Sequence, residues 1–290
     1  MGTIICDSAC DLSEEHIKEW GVEIIDFPYS IDGVEYMAQP CTTEGFYEFY
    51  EKIDKGAVAK TSLINEAALL ETFEKYLKQG GDVLFISFSG GLTATYNVMG
   101  SIKERLAKKY PKQKLYYFDT LQVTMAAGLF VYRAAELQKA GKNFEEILKD
   151  LTALRQHICI YFAVDDLMYL KRGGRVSAAT AIMGTALGIK PVLICDECGK
   201  LVKVGTVKGR KGVICKLIDY LKTYGENITD LPIVIIYAGA TYLEEAESLK
   251  REVLDVAGAG AEVWIQPVGT IIGAHCGPRG VALIFKCKHR

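Results

Sequence analysis

Short apolar runs alternate with longer stretches of helical periodicity through the first half of the chain. The runs at 3–6, 82–88 and 114–119 predict buried strands, because they are apolar and of strand length. Amphipathic stretches predict helices near 43–53, 65–78, 95–109, 124–139 and 144–154. Asp32 and Gly33, between two short β-like runs, predict a hairpin. Alternating strands and crossover helices are typical of a parallel sheet covered on both faces.

The second half of the chain is richer in strands. Apolar runs near 157–164, 190–196 and 200–207 predict consecutive strands, and the Asp-Glu-Cys-Gly turn between the last two predicts a hairpin. A sheet that combines a hairpin with crossover helices is mixed. The sequence therefore predicts an α/β protein of two domains. An N-terminal α/β domain with a parallel sheet covers 1–157, and a C-terminal α/β domain with a mixed sheet covers 158–290.

Composition narrows the class of protein. Half of the 290 residues are hydrophobic and the formal net charge is −2, so a large core can form and nucleic acid is not an expected partner. No apolar run reaches the roughly 18 residues of a membrane-spanning helix, so no stable membrane insertion is expected. The chain starts without a signal-peptide pattern, and its nine cysteines are an odd number. These features favour a cytoplasmic protein with reduced cysteines over a disulfide framework.

Sequence patterns for common cofactors are absent. The glycine-rich stretch 89–97 has neither the Gly-Lys-Ser/Thr of a P-loop nor the spacing of a dinucleotide fingerprint. Cys195 and Cys198 form a lone CxxC without the second pair that a zinc site needs, and are interpreted as part of the hairpin turn. We therefore expect no cofactor and no metal.

Polar residues follow three of the predicted strands, at Asp7 and Ser8, at 87–95, and at Asp119 and Thr120. Because the carboxyl ends of parallel strands meet at one edge of a sheet, these groups are expected to lie together where ligands commonly bind. Helix capping accounts for the same residue types, so both interpretations stay open.

Four polar stretches are candidates for a ligand site. In the first, Thr61 and Ser62 precede a predicted helix, where hydroxyls and free N–H groups form either an anion cradle or an ordinary cap. The second, 89–97, combines glycines with hydroxyls and suits an anion or a closely approaching ligand. In the third, Arg175 follows two glycines and offers a planar fork to a carboxylate or phosphate, unless it is a solvated loop charge.

The fourth stretch is Gly-Ala-His-Cys-Gly-Pro-Arg-Gly at 273–280, interpreted as a turn whose glycines permit close backbone approach. His275 and Cys276 are sequence neighbours whose side chains seldom meet, which disfavours a nucleophile–base pair. Two roles remain for His275: hydrogen bonding to a ligand, or a satisfied structural histidine.

Together the motifs resemble the bacterial DegV family, the fatty-acid-binding subunits of fatty acid kinase. Each stretch is weak alone, and the combination is specific. The matching stretches are DSACDL (7–12), KTS (60–62), GGLTATY (90–96), FDT (118–120), DDLMYLKRGGRVS (165–177), LGIKPVL (187–193) and GAHCGPRG (273–280).

This resemblance implies that two α/β domains clasp one fatty acid, with the acyl chain in an apolar tunnel and the carboxylate held by hydroxyls and a histidine. It also implies that a separate ATP-dependent fatty acid kinase converts the bound acid to an acyl phosphate. The chain would then be a carrier and not an enzyme. The implied ligand-binding residues are Thr61, Ser62, Thr93, Arg175, His275 and Gly277.

The chain departs from the family pattern at three of these motifs. It has Thr-Ser-Leu-Ile-Asn where Thr-Ser-x-Pro-Ser is usual, and Thr93 where serine is usual, which adds a methyl group to the expected head-group pocket. Arg279 stands where the family usually has glycine. Two other functions stay open: a regulatory or interaction protein without a small ligand, and an enzyme acting on a phosphorylated small molecule.

Two further stretches carry functional hypotheses. The basic run 203–212 meets a kinase or an acyl phosphate, or is a solvated basic face. The apolar residues of 182–187 and 118–130 line the tunnel, or are ordinary core.

Overall fold

A four-stranded parallel sheet organises the first half of the chain. The computed structural model describes residues 2–40, 43–177, 188–239 and 242–290. The strand order is β2-β1-β6-β7, and every neighbouring pair is parallel, as predicted. The four strands are β1 (Thr3–Asp7), β2 (Glu23–Ile25), β6 (Val83–Ser87) and β7 (Leu115–Asp119). All five residues of β6 are buried, because helices pack on the sheet.

The helices of the first half follow the predicted periodicity. Those at 124–139 and 144–154 begin and end where the sequence predicts, and Asn143 with Glu146 forms a capping box on the second. The predicted helix at 95–109 starts instead as a 3₁₀ turn, Thr95–Val98. The helices are α1 (Glu14–Trp20), α2 (Thr43–Asp54), α3 (Glu66–Leu77), α4 (Met99–Lys109), α5 (Thr124–Lys139) and α6 (Phe144–Leu154).

A small antiparallel sheet stands beside the parallel one, in the order β4-β3-β5. The predicted hairpin at Asp32 and Gly33 is confirmed, and joins β3 (Pro28–Ile31) to β4 (Val34–Met37). The third strand, β5 (Ala59–Thr61), was not predicted, since three residues are too few to show a period. It pairs with β3 and fixes the position of Thr61.

A six-stranded mixed sheet organises the second half, as predicted. Its order is β10-β9-β8-β13-β11-β12; β11 and β12 are parallel and the other pairs are antiparallel. The strands are β8 (Ile158–Ala163), β9 (Ile189–Cys195), β10 (Leu201–Lys208), β11 (Ile233–Tyr237), β12 (Val263–Pro267) and β13 (Val281–Lys286). The β9–β10 turn at 196–199 is the predicted hairpin. The second sheet begins at Ile158, and the division of the chain into domains at 157 and 158 stays a prediction.

The helices of the second half include one that the sequence did not reveal. The stretch around His275, interpreted above as a turn, contains a short helix, and only its last residues form a turn. Glycine-rich composition concealed the helix, because glycine has a low helix propensity. The helices are α7 (Met168–Arg172), α8 (Gly209–Tyr224), α9 (Leu243–Ala257) and α10 (Thr270–Cys276). Among the described residues, no helix combines the length and the apolar character needed to cross a membrane.

One disulfide contradicts the prediction that the cysteines are reduced. Cys159 on β8 bonds to Cys287, which follows β13, and their Cα atoms lie 6.0 Å apart. The two residues are 128 positions apart, and only the antiparallel pairing of β8 with β13 brings them together. Six further cysteines are free thiols, and Cys41 lies outside the described residues.

Candidate ligand-binding site

A cavity of about 420 Å³ lies between the six-stranded mixed sheet and the carboxyl edge of the parallel sheet. One wall is the inner face of the mixed sheet, with Ile160 and Phe162 on β8 and Ala282 on β13. Ile160 and Phe162 are two positions apart and therefore share a face of the strand. Phe27 and Phe88, which follow β2 and β6, close the opposite side. The wall is mostly apolar and suits an apolar ligand.

Most of the predicted ligand-binding residues lie on the wall of this cavity. The exception is Gly277, which is not part of the wall. Its φ of 71° is left-handed, and a Cβ there would lie 2.6 Å from the ring of Tyr169, so this glycine serves a turn and a close side-chain contact. The wall residues that the sequence predicted are Thr61, Ser62, Thr93, Arg175 and His275.

Thr61 and His275 form the polar contact that links the two halves of the chain at the cavity. The Oγ1 atom of Thr61 and the Nε2 atom of His275 lie 2.8 Å apart, at hydrogen-bonding distance. Thr61 ends β5 and His275 is in the last turn of α10. Asn65 accepts a hydrogen bond from the N–H of Ala68 and caps α3. Thr61 therefore is not the helix cap, which was one of its two interpretations.

The imidazole of His275 is neutral at physiological pH. Burial, helped by the nearby positive charge of Arg175, lowers the pKa of His275 to about 4. Its Nδ1 atom is buried and has no hydrogen-bond partner among the residues that the structure describes. His275 therefore offers the cavity a neutral hydrogen-bonding group, not a positive charge.

Arg175 supplies a positive charge at the cavity wall. Its Nη1 donates a hydrogen bond to the carbonyl oxygen of Gly173, and partial burial lowers the pKa of its guanidinium. A guanidinium stays protonated at any physiological pH. Among the described residues of the wall, an acidic group in the cavity would thus meet one cation and several neutral donors.

The loop that carries Thr93 is fixed by its own hydrogen bonds. The hydroxyl of Thr93 donates to Oγ1 of Thr95 at 3.0 Å and accepts from the N–H of Thr95 at 3.2 Å. Gly91 in this loop packs on the β9–β10 turn, where a Cβ would lie 2.5 Å from the carbonyl oxygen of Cys198. The close approach predicted for these glycines is therefore to other parts of the protein: Gly91 meets backbone, and a Cβ at Gly90 would lie 2.6 Å from the carboxylate of Asp119.

The polar groups after the parallel strands do share one edge, as predicted, and Asp7 and Asp119 connect them. The fully buried carboxylate of Asp7 accepts hydrogen bonds from the N–H of Phe88 at 2.8 Å and the hydroxyl of Tyr96 at 2.8 Å. Burial raises the pKa of Asp7 to about 7 despite these bonds, which act in the opposite direction. Asp119 accepts from the N–H of Gly90 at 3.2 Å. Both aspartates hold the loop that carries Thr93 and lie off the cavity wall.

The structure bears on the hypotheses for the basic run 203–212 and for the apolar tunnel segments. In the basic run 203–212, Arg210 donates to Glu245 at 2.7 Å and to Asp165 at 2.9 Å, so this arginine is engaged in ion pairs. The proposed tunnel segment 182–187 lies outside the described residues. In the other segment, 118–130, Val123 and Thr124 line the cavity, and the remainder is not on its wall.

Sequence reasoning also missed two residues that lie beside His275. Cys276 lines the cavity next to His275, and burial raises the pKa of its thiol to about 12, so the thiol is not a nucleophile at neutral pH. Gly173 lies against the ring of His275. The Gly-Gly-Arg motif contained this signal, since a glycine permits close approach, but the partner of that approach is about a hundred residues away in the sequence.

The comparisons with known proteins agree with this architecture. A DegV domain-containing protein of Clostridium perfringens is 33% identical over 282 residues, which are 97% of this chain and 96% of the relative. The structure of a fatty acid binding DegV family protein from Streptococcus agalactiae is 28% identical with a TM-score of 0.82, over 100% of this chain and 99% of that one. A stearic acid-binding protein from Eubacterium ventriosum is 25% identical with a TM-score of 0.84, over 99% and 98% of the two chains.

A family model covers almost the whole sequence. The model that matches residues 2–288 describes the DegV family as uncharacterised proteins. The match spans both sheets and every cavity residue named above. This chain therefore belongs to the DegV family.

Proposed function

We propose that the chain binds one long-chain fatty acid in the cavity and presents its carboxylate to a separate ATP-dependent fatty acid kinase. The observation that carries the proposal is the composition of the wall: apolar over most of its extent, with hydroxyls, His275 and Arg175 as its polar part. The relatives described as binding fatty acids support the same ligand class.

The acyl chain supplies most of the binding free energy. Each buried methylene contributes about 0.8 kcal/mol, so roughly 14 methylenes supply about 11 kcal/mol before the costs of association. Side chains such as Phe162, Ile160 and Ala282 offer no hydrogen bonds to compete with this apolar contact. Affinity is therefore expected to depend strongly on chain length.

The polar part of the wall orients the acid. A carboxylate that leaves water without hydrogen bonds is costly, so its oxygens need donors in the closed site. Thr61, Ser62 and Arg175 offer hydroxyl and guanidinium hydrogens, and His275 contacts Thr61 directly. One arginine balances the single negative charge.

Access to the carboxylate runs past Leu63. This residue lines the cavity and is 53% exposed, so the cavity reaches the surface beside Thr61 and Ser62. A kinase that docks there would reach the acid without opening the apolar part of the cavity. A carboxylate oxygen would attack the γ-phosphorus of ATP, with ADP leaving and an acyl phosphate formed.

The test begins with stearic acid and the delipidated protein. Isothermal titration is expected to give one site per chain, and native mass spectrometry the added mass of one acid. Ala282→Trp fills the cavity and is expected to weaken binding at least about tenfold, whereas the exposed Ala153→Trp on α6 leaves it unchanged. No binding by the folded wild-type chain, or equal binding by both variants, would contradict the proposal.

The kinase step has its own assay. With ATP, stearic acid, this chain and a fatty acid kinase, hydroxylamine is expected to trap the acyl phosphate as a hydroxamate. Reactions that omit this chain serve as the control. If the reaction rate does not change when the chain is added, the proposed presenting role is contradicted, whereas the proposed fatty acid binding is not.

A further inference from the structure

Gly173 lies against the ring of His275 more closely than any other residue type could. A Cβ at position 173 would lie 2.1 Å from Nδ1 and 2.8 Å from Cε1 of the imidazole, well inside contact distance. The backbone at Gly173, with φ −73° and ψ −11°, is one that any residue adopts. Glycine is therefore required at this position for space and not for conformation.

The same residue supports the other polar group of the site. The carbonyl oxygen of Gly173 accepts the hydrogen bond from Nη1 of Arg175, while the ring of His275 occupies the space that a side chain at position 173 would need. Gly173 itself is held by α7, because its N–H donates to the carbonyl oxygen of Tyr169 at 3.1 Å. A backbone fixed by a helix thus sets the position of two ligand-facing side chains.

The contact with Gly173 also bears on the tautomer of His275. Nδ1 is buried against Gly173 and has no partner among the described residues, so a proton there would be an unsatisfied buried donor. Orphaned N–H groups are rarer in proteins than orphaned acceptors, and the positive charge of Arg175 nearby favours a lone pair over an N–H. The proton of the neutral ring therefore belongs on Nε2, which faces Thr61.

We propose that Gly173 is a positioning residue that holds His275 with its proton on Nε2 and thereby turns the hydroxyl hydrogen of Thr61 into the cavity. An Nε2–H donates to Oγ1 of Thr61 across the 2.8 Å contact, so the hydroxyl of Thr61 is left to donate elsewhere. With the opposite tautomer, Thr61 would donate to the ring and present only lone pairs, which repel a carboxylate. The inference rests on the proposed fatty acid site and specifies which group of Thr61 recognises the acid.

The decisive variant is Gly173→Ala. Alanine adopts the backbone conformation of this position without strain, and its methyl group displaces the imidazole of His275. Stearic acid is expected to bind about tenfold more weakly, because Thr61 loses its fixed orientation. Gly100→Ala on α4 is the matched control, since a Cβ at Gly100 meets nothing within 4 Å. A merely structural effect of Gly173→Ala would appear as a lower free energy of unfolding, measured in urea on the same samples.

A double-mutant cycle separates positioning from general damage. In a His275→Ala background the ring is gone, so Gly173→Ala is expected to change the affinity for stearic acid less than about twofold. A full effect of Gly173→Ala in that background would overturn the proposal. So would an unchanged affinity of the single variant when the wild-type chain binds the acid.

Nitrogen NMR of the imidazole tests the tautomer without any ligand. The wild-type spectrum is expected to show an Nε2–H form of His275, and Gly173→Ala a shift toward a mixture of tautomers. A wild-type Nδ1–H form would overturn the inference even if stearic acid binds. Failure of the wild-type chain to bind stearic acid would instead count against the proposed function and leave the tautomer measurement standing.

Discussion

The hydroxyl of Ser89 donates a hydrogen bond to the carbonyl oxygen of Gly199 at 2.7 Å, and so joins the loop after β6 to the β9–β10 turn. The same oxygen of Ser89 accepts from the N–H of Gly91 at 3.0 Å. Ser89 is fully buried. One side chain therefore fixes the loop that carries Thr93 and connects it to the mixed sheet.

Replacement of this hydroxyl is expected to destabilise the protein. Ser89→Ala leaves the buried carbonyl of Gly199 without its donor, which costs about 1–3 kcal/mol of unfolding free energy. Urea unfolding measures the loss, with the exposed Ser101→Ala on α4 as control. Equal stability of the two variants would mean that the bond contributes nothing.

The buried carboxyl of Asp7 predicts a pH dependence of stability. Its pKa rises from 3.8 to about 7 on folding, so between these values the native state holds a proton that the unfolded state has released. Stability from this group is therefore full below pH ~4 and falls as pH rises to about 7, by about 4 kcal/mol in all. Asp7→Asn is expected to remove that slope, measured by urea unfolding between pH 4 and 8. The exposed Asp255→Asn on α9 should keep it, and an unchanged slope in Asp7→Asn would contradict the assignment.

His275 predicts a pH dependence of stability with the opposite sign. Its pKa falls from 6.5 to about 4 on folding, so the unfolded state binds more protons between these values and stability drops as pH falls through the window. The imidazole of the ligand-free protein is expected to stay at least about nine-tenths neutral by NMR between pH 5 and 8. His275→Gln identifies the NMR signals of this imidazole, and is expected to remove the loss of stability that His275 causes as pH falls. A titration midpoint near pH 6.5 would show that burial does not control this ring.

Arg279 has a φ of 78°, in the left-handed region that disfavours side chains. Its guanidinium lies 3.6 Å from Asp54 in an exposed ion pair, which contributes little. Arg279→Gly is therefore expected to be about 1 kcal/mol more stable than Arg279→Ala in thermal or urea unfolding. At Gly100, in a helix, the order should reverse and alanine should be the more stable residue. If Arg279→Ala is as stable as Arg279→Gly, the backbone there is unstrained.

The sequence predicted most of the fold because the signals for it are local. The periodicity of 124–139 and 144–154 yields both helices to the residue, and the Asp-Gly turn yields the β3–β4 hairpin. The short strand β5 and the helix α10 were missed, since three residues carry no period and glycines mask a helix. Both of these elements carry residues of the cavity wall, Thr61 and His275.

The sequence named several residues of the cavity wall but not how they contact one another. Motif resemblance named Thr61 and His275, which are 214 positions apart, and nothing in their local sequence says that they touch. The Cys159–Cys287 pair was missed for the same reason. Contacts of this kind depend on strand order, which single-sequence patterns do not determine.

The cavity takes its walls from the mixed sheet and from segments that follow the parallel strands, so any molecule that fills it packs against both halves of the chain. Cargo that binds only the folded chain raises its resistance to heat by mass action, about 2.7 kcal/mol at a free concentration of about 100 times Kd. Ligand binding and global unfolding are thus linked, and the melting temperature of a purified batch reports how much bound ligand it carries.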